Sequence, residues 1–225
     1  MKKIIVLFVI SIVFLVSCKN KEENVMSNGK NKMEYLGHGS LKMFFGDKVC
    51  YIDPYAGDDY SEPADLILVT HQHQDHNDLS LVKQNKGCVV YQNFDAIGKD
   101  GYNNAEFFGM KIEPVEAYNK NHKKEECVGY ILRFDGKTIY VAGDTSKTEQ
   151  MKSLGDYNID YAFLPMDGKY NMDIDEAIEC EKLIKAKHTI PYHMAPGALF
   201  DEDRAKKFNT PSTMIVKPNE KFDIE

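Results

Sequence analysis

The sequence predicts an α+β protein in which two β-sheets pack face to face and helices lie outside them. Three observations lead to this prediction. Most of the chain after residue 32 consists of short apolar runs of strand length, separated by turn residues. Few segments have the apolar spacing of a helix, and the strands fall into two similar halves. The 225 residues, 43% of them hydrophobic, are enough to bury one sizeable core.

The first half of the folded part is predicted to begin as a meander. Turn residues at 37–40 and at Gly46-Asp47 separate its three strands. A continuous apolar run that follows, DLILVT, is typical of a strand buried on both faces. The predicted elements of this half are strands at Met33–Leu36, Leu41–Phe45, Lys48–Ile52, Asp65–Thr70, Cys88–Tyr91 and Lys111–Tyr118, and a short helix at Asp78–Gln84.

The second half contains a predicted hairpin and the clearest helix of the chain. Asp135-Gly136 between two apolar runs is a strong hairpin signal. Asp173 is suited to cap the helix, and Glu176 three residues later completes a box-like pair. The predicted elements of this half are strands at Val128–Phe134, Lys137–Ala142, Asp160–Leu164, His188–His193 and Thr213–Lys217, and a helix at Asp173–Lys187.

The N-terminal residues have the pattern of a bacterial export signal. Lys2 and Lys3 precede an apolar stretch at 4–16, which is too short to span a bilayer comfortably. The stretch ends in Leu-Val-Ser-Cys, which resembles the lipobox of bacterial lipoproteins. That resemblance implies cleavage before Cys18 and attachment of lipid to it, and several acyl chains form a stable anchor. We therefore expect an exported protein that is lipid-anchored to a cell membrane.

The residues that follow Cys18 predict a tether. Residues 19–32 are rich in Lys, Asn, Glu and Ser, and their only apolar side chains are Val25 and Met26, so we expect a solvated linker. The chain thus divides into a signal peptide at 1–17, the lipidated cysteine and flexible linker at 18–32, and one folded domain at 33–225.

The charge of the chain argues against a nucleic-acid partner. The formal net charge is −7, and loss of the two lysines in residues 1–17 lowers it by two, to −9. An acidic chain without a basic patch is poorly suited to binding phosphate backbones. No apolar run reaches 18 residues, so no ordinary transmembrane helix is predicted. The expected partners are a small-molecule substrate and, through the anchor, a membrane.

Four cysteines remain after Cys18. Export permits disulfides, and four cysteines allow three pairings. Cys50 and Cys88 lie in apolar strand-like runs, and Cys180 lies on the apolar side of the predicted helix. Buried free thiols are therefore the preferred interpretation for these three, while Cys127 flanks a loop.

The residues suited to chemistry are concentrated in one loop. Directly after the buried strand, His71, His73, Asp75 and His76 bring three of the seven histidines and one aspartate into six residues. Imidazole and carboxylate donors suit zinc, iron or manganese, and the loop lacks the cysteines usual in a structural zinc site. His71 and His73 alternate and point the same way in an extended segment, while the other two follow at the turn. One loop can thus give two ligands to each of two metals.

This loop resembles the signature of the metallo-β-lactamase superfamily. More narrowly, the chain resembles metal-dependent hydrolases related to L-ascorbate-6-phosphate lactonase. The resemblance covers almost the whole domain and implies a four-layer αββα sandwich with metals at the edge of the two sheets. The supporting motifs, in order, are Leu36-Gly37-His38-Gly39-Ser40, Ile52-Asp53-Pro54, Val141-Ala142-Gly143-Asp144-Thr145 and Ile190-Pro191-Tyr192-His193.

The same resemblance implies a ligand set for two divalent ions. Zinc is the preferred metal, and manganese and iron are the alternatives. One histidine of the first site is left open: Asn119 occupies the usual place, and His122 follows three residues later. His122 is preferred because imidazole binds these metals far better than a carboxamide does. The implied ligands are His71, His73 and His122 for the first ion, Asp75, His76 and His193 for the second, and Asp144 as the bridge.

The implied mechanism is hydrolysis by a water that two close cations activate. The cations lower the pKa of the water, and the resulting hydroxide attacks a carbonyl carbon or a phosphorus. Asp75 or Asp144 is suited to move the proton to the leaving group. His38 is a candidate for supporting a ligand or touching the substrate, and Asp53 for holding a ligand histidine.

Two functions follow from these residues. The first is a metal-dependent hydrolase that cleaves an ester, a lactone or a phosphodiester outside the cytoplasm. The alternative is a lipoprotein of the same fold that captures a metal or a ligand without catalysis. The alternative stays open because the sequence does not decide whether Asn119 or His122 completes the first metal site.

Overall fold

The computed structural model describes residues 31–225, so the predicted signal peptide, Cys18 and most of the linker lie outside the described residues. The described part contains two six-stranded sheets and a small two-stranded ribbon. The strands are β1 Lys32–Gly37, β2 Ser40–Phe45, β3 Lys48–Ile52, β4 Ala64–Val69, β5 Gln84–Gln92, β6 Ile97–Gly98, β7 Gly101–Tyr102, β8 Ala105–Phe107, β9 Met110–Glu116, β10 Val128–Phe134, β11 Lys137–Val141, β12 Tyr161–Pro165, β13 His188–Tyr192 and β14 Glu220–Asp223.

The predicted architecture of two packed sheets with outer helices is confirmed. The first sheet has the order β14-β1-β2-β3-β4-β5 and the second the order β13-β12-β11-β10-β9-β8. The helices are α1 Asn93–Ala96, α2 Met151–Leu154, α3 Ile174–Ile184 and α4 Glu202–Lys207, and one 3-10 turn spans Leu79–Leu81. Within residues 31–225, no helix is long and apolar enough to cross a lipid bilayer.

Alternation along the buried strands builds the layers. Leu66 and Leu68 of β4 face the core between the sheets, while Ile67 and Val69 face outward into a smaller cluster. The outer face of the second sheet packs against α2 and α3. Because both faces of β4 are covered, its sequence is apolar throughout.

The hairpin and the long helix follow their sequence signals. Asp135 and Gly136 both have positive φ, at 47° and 71°, as the two central residues of a tight hairpin turn require. The side chain of Asp173 caps α3 by accepting the backbone N–H of Glu176 at 2.9 Å. The box is only half formed, because the Glu176 carboxylate accepts the backbone N–H of Lys147 instead.

Two predicted elements are wrong. Residues 78–84 do not form a helix: Asp78 caps one 3-10 turn, and the chain then enters β5, where Gln84 pairs with Ala64. Thr213–Lys217 is not a strand, because its backbone makes only one isolated bridge, from Thr213 to β13. The last strand is β14, which comes after this segment.

The four cysteines of the domain are free thiols. Cys50, Cys127 and Cys180 are buried, and Cys88 is half-buried. The predicted buried free thiol is thus confirmed at Cys50 and Cys180, and Cys88 is free but partly accessible.

The strand directions bring the candidate site residues to one edge. β3, β4 and β5 run parallel in the first sheet, and β11, β12 and β13 run parallel in the second. The carboxyl ends of parallel strands meet at the same edge of a sheet, where open α/β sheets bind ligands. Four strands, β3, β4, β11 and β13, end directly before Asp53, the histidine loop, the Asp144 motif and His193.

A buried ion cluster fastens the loop between β3 and β4 to the outer face of the first sheet. Lys42 of β2 is fully buried, and its Nζ lies 2.8 Å from Glu34, 2.8 Å from Asp59 and 2.9 Å from Glu62. Lys221 also reaches Glu34, at 3.3 Å. The three carboxylates raise the pKa of Lys42 although burial lowers it.

Lys42→Met tests this cluster. The substitution leaves the buried Glu34 without its nearest cation, so we expect a loss of about 3 kcal/mol in the free energy of unfolding. Urea unfolding measures it. Lys48→Met is the control, since Lys48 pairs with the exposed Asp47 and its loss is expected to cost less than about 1 kcal/mol. Equal effects of the two substitutions would contradict the role assigned to Lys42.

Candidate metal centre

The structure brings all seven predicted metal ligands together at the shared edge, in three overlapping groups of donor atoms. Within each group the donor atoms lie within 4.8 Å of one another. The first group holds the three histidines predicted for the first ion. The groups are His71, His73 and His122; His38, Asp75, His76 and His193; and His71, His76 and Asp144.

Asp144 lies between the groups. Its Oδ1 is 3.4 Å from Nε2 of His76, and its Oδ2 is 3.3 Å from Nε2 of His122 and 3.4 Å from Nε2 of His193. The aspartate is buried and follows the end of β11. This position is the one expected of a carboxylate that is shared by two ions.

His122, rather than Asn119, faces the centre. Asn119 Oδ1 accepts from Nδ1 of His122 at 2.9 Å and from its backbone N–H at 3.1 Å. The amide nitrogen of Asn119 donates to the carbonyl of Tyr170 at 2.9 Å. Asn119 therefore holds the far side of the His122 ring, and Nε2 of His122 is left to point at Asp144.

Asp53 and Thr70 orient two of the buried histidines. Asp53 accepts from the backbone N–H of Thr70 at 2.7 Å, from the Thr70 hydroxyl at 2.6 Å and from Nδ1 of His76 at 2.9 Å. Since the Thr70 hydroxyl donates to Asp53, it is left to accept from Nδ1 of His71, at 3.0 Å. Both rings are thus held with Nε2 facing inward, which is the usual outer support of metal-binding histidines.

His38 in the β1–β2 turn and His193 after β13 both have left-handed backbone, and a backbone hydrogen bond joins them. His38 and His193 have φ of 50° and 44°. The His193 N–H donates to the His38 carbonyl at 2.9 Å, and the His38 N–H donates to the Leu199 carbonyl at 2.7 Å. A Cβ at Gly39 would lie 2.7 Å from Cε1 of His76, so glycine is needed for this close approach. Strained backbone of this kind is common at functional sites.

His38 lies with the second group. Its Nε2 is 3.1 Å from Oδ2 of Asp75, and its Nδ1 is 3.3 Å from the carbonyl oxygen of Ala198. The His38 and His193 rings are in contact, with centroids 3.8 Å apart and planes tilted by 42°. His38 therefore holds the Asp75 carboxylate, the most exposed of the predicted carboxylate ligands.

The donor set fits divalent metal ions. Four inward-facing side-chain atoms are buried without a hydrogen-bond partner: Nε2 of His71, His76 and His193, and Oδ1 of Asp144. Buried polar atoms without partners are costly and rare. Imidazole nitrogens and a carboxylate aimed at common points are the donors that zinc, iron and manganese prefer.

The electrostatics of the cluster agree with this assignment. Burial raises the pKa of Asp144, but the surrounding histidines outweigh it and hold that pKa well below its usual range. Burial lowers the pKa of His71 and His122. Burial also lowers the pKa of His76, but Asp144 and Asp53 outweigh it and raise that pKa to about 9. An ionised carboxylate among buried imidazoles is a site that favours cations.

Comparisons with known proteins agree with the fold. Residues 32–193 match the family model of the Beta-lactamase superfamily domain. A UPF0173 metal-dependent hydrolase of Pyrococcus furiosus is 31% identical over 86% of this chain and 99% of its own length. The corresponding protein of Nanoarchaeum equitans is 32% identical over 86% of this chain and 100% of its own.

Solved structures give the same result. The crystal structure of a Parabacteroides distasonis protein assigned as a metal-dependent hydrolase has a TM-score of 0.70 and 28% identity, and the match covers 85% of this chain and 94% of that one. Igni18, a metallo hydrolase from Ignicoccus hospitalis, has a TM-score of 0.69 at 24% identity, over 88% and 99% of the two chains, which supports the fold.

The chain therefore belongs to the metallo-β-lactamase superfamily. Within it, the chain belongs to the UPF0173 family of metal-dependent hydrolases. The protein is accordingly a metal-dependent hydrolase, as the sequence predicts. The narrower resemblance to ascorbate-6-phosphate lactonase stays a prediction.

The sequence missed one supporting residue. Asp167, two residues after the end of β12, lies 3.4 Å from Nδ1 of His193. The aspartate also accepts backbone N–H groups of Lys169 and Tyr170, both at 2.6 Å. An acidic residue directly after a buried strand of this sheet was the available signal, because such strand ends lie at the ligand edge.

Asn119→Ala tests the support of His122. Loss of the acceptor should weaken metal binding about 10- to 100-fold, which chelator competition measures. Asn119→Asp keeps the acceptor and should retain tight binding. Asn121→Ala is the matched control, because Asn121 donates to the same Tyr170 carbonyl, at 3.1 Å, but leaves the His122 ring alone. Equal losses of metal affinity in Asn119→Ala and Asn121→Ala would mean that the conformation of the loop, and not the contact of Asn119 with the His122 ring, supports metal binding.

Proposed function

We propose that this hydrolase uses two divalent ions to cleave an ester, a lactone or a phosphodiester. Zinc is the preferred identity of these ions. The observation that carries the proposal is the pair of donor groups on either side of Asp144, with unpartnered buried atoms in both. His71, His73 and His122 would hold one ion, and Asp75, His76 and His193 the other. Bound ions of this kind lower the pKa of water and polarise a carbonyl or phosphoryl oxygen.

The residues around the donors leave room for a substrate beside them. A cavity of about 410 Å³ opens next to the centre, and its lining includes His73, Asp75, Asp144 and Tyr170. His73 is exposed and Asp75 is half-exposed, whereas Asp144 is buried. The substrate therefore approaches from the side of His73 and Asp75, with Asp144 as the floor.

Asp75 is the residue best placed to move a proton. Its side chain is 40% exposed, whereas that of Asp144 is 4% exposed, so only Asp75 reaches a leaving group in the cavity. His38 fixes one oxygen of this carboxylate, at 3.1 Å. A positioned carboxylate near a leaving group supplies general acid–base catalysis.

Asp75→Ala tests this assignment. The variant loses a proposed ligand and the proton carrier, so kcat/KM should fall at least about 100-fold. Steady-state rates of the metal-loaded full chain are measured with p-nitrophenyl acetate, γ-butyrolactone and bis(p-nitrophenyl) phosphate. Asp100→Ala, at an exposed aspartate that does not line this cavity, is the control and should keep the parent rate. A fully active Asp75→Ala variant would overturn the assignment.

A further inference from the structure

A second cavity adjoins the centre on the far side of Asp75. Its volume is about 330 Å³, and its walls come from the loop after β3 and the segment after β13. Tyr55, Ala56, Ala198 and Leu199 supply the apolar part of the lining. The size is at the lower end of cavities that hold small organic molecules.

The two cavities meet at Asp75. This carboxylate lines both of them, and of the two rings in contact, His38 lines the second cavity and His193 the first. A substrate whose scissile bond lies beside the donor groups therefore extends its substituent past Asp75 into the second cavity.

The walls of the second cavity are held in place by hydrogen bonds. The Tyr35 hydroxyl lies 3.0 Å from the His38 carbonyl oxygen and 3.1 Å from that of Leu199. On the opposite wall, the Tyr60 hydroxyl donates to the Ala56 carbonyl at 2.8 Å, and the Ser40 hydroxyl accepts the Tyr55 N–H at 3.1 Å. A preformed cavity binds without the cost of ordering its walls.

The residues that line the second cavity disfavour a charged substituent of the substrate. Tyr55 and Leu199 are 44% and 48% exposed, and both present apolar surface to the second cavity. Neither cavity has a lysine or arginine in its lining as described. An anionic group in the second cavity would therefore lose its hydration without a lysine or arginine partner.

We propose that this second cavity binds an uncharged, apolar substituent of the substrate, so that the enzyme prefers esters or lactones with an alkyl or aryl group. The inference rests on the proposed function, because the donor groups define where the scissile bond lies. It narrows that function: a substrate with a further phosphate or carboxylate beyond the scissile bond would place an anion against the apolar walls of the second cavity.

The test uses a series of alkyl hydroxamates, which chelate metal ions without being hydrolysed. Acetohydroxamate, butyrohydroxamate and hexanohydroxamate are titrated calorimetrically into the metal-loaded full chain. Because each buried methylene favours binding, we expect hexanohydroxamate to bind at least about tenfold more tightly than acetohydroxamate. The corresponding p-nitrophenyl esters should show the same order in kcat/KM.

Leu199→Asp places a charge in the apolar wall and should reduce the ratio of the two affinities to about threefold or less. Leu81→Asp is the matched control, because Leu81 is 38% exposed and lines neither cavity, and it should keep the parent ratio. Thermal melting of both variants checks that they fold. Tyr55→Ser on the opposite wall is a second variant that should also lower the ratio.

The outcomes separate the two proposals. Tight hydroxamate binding that does not depend on chain length would overturn the apolar cavity and leave the metal centre standing. Chain-length-dependent binding without turnover of any ester would support the cavity and overturn ester hydrolysis. Failure of every hydroxamate to bind would overturn the metal centre, and the cavity proposal with it.

Discussion

The structure depends on one buried carboxylate that is surrounded by imidazoles. Asp144 touches three histidines at 3.3–3.4 Å, and each comes from a different segment of the chain. A carboxylate that is buried and ionised is costly unless it is paired with positive charge. The histidines offset part of this cost, and divalent ions between the donor groups would offset the rest. The site and the fold are thus stabilised by the same interaction.

The strand directions of the two sheets bring Asp144 and the histidines together. Each sheet has antiparallel strands and a parallel set, and the parallel strands end at one edge. Around the donors, four residues support the histidines from behind: Asp53 holds His76, Thr70 holds His71, Asn119 holds His122, and Asp167 lies beside His193. Second partners of this kind fix both the tautomer and the direction of metal-binding histidines.

The sequence predicted those parts that local chemistry determines. The bounds of β10 and the turn at Asp135-Gly136 follow from an apolar run and from two residues that tolerate positive φ. The helix predicted at 78–84 does not form, because Gln84 pairs with β4 and the chain enters β5 there. The walls of the two cavities could not be predicted, because they depend on contacts between segments far apart in the chain.

The central claim is that two ions share Asp144 between two donor groups. The measurement that tests it most directly is the metal content of the full chain, determined by elemental analysis after extensive dialysis against metal-free buffer. The account predicts two equivalents of divalent metal per chain. One equivalent or none would contradict it, and would mean that the buried unpartnered atoms of His71, His76, Asp144 and His193 do not define a dinuclear centre.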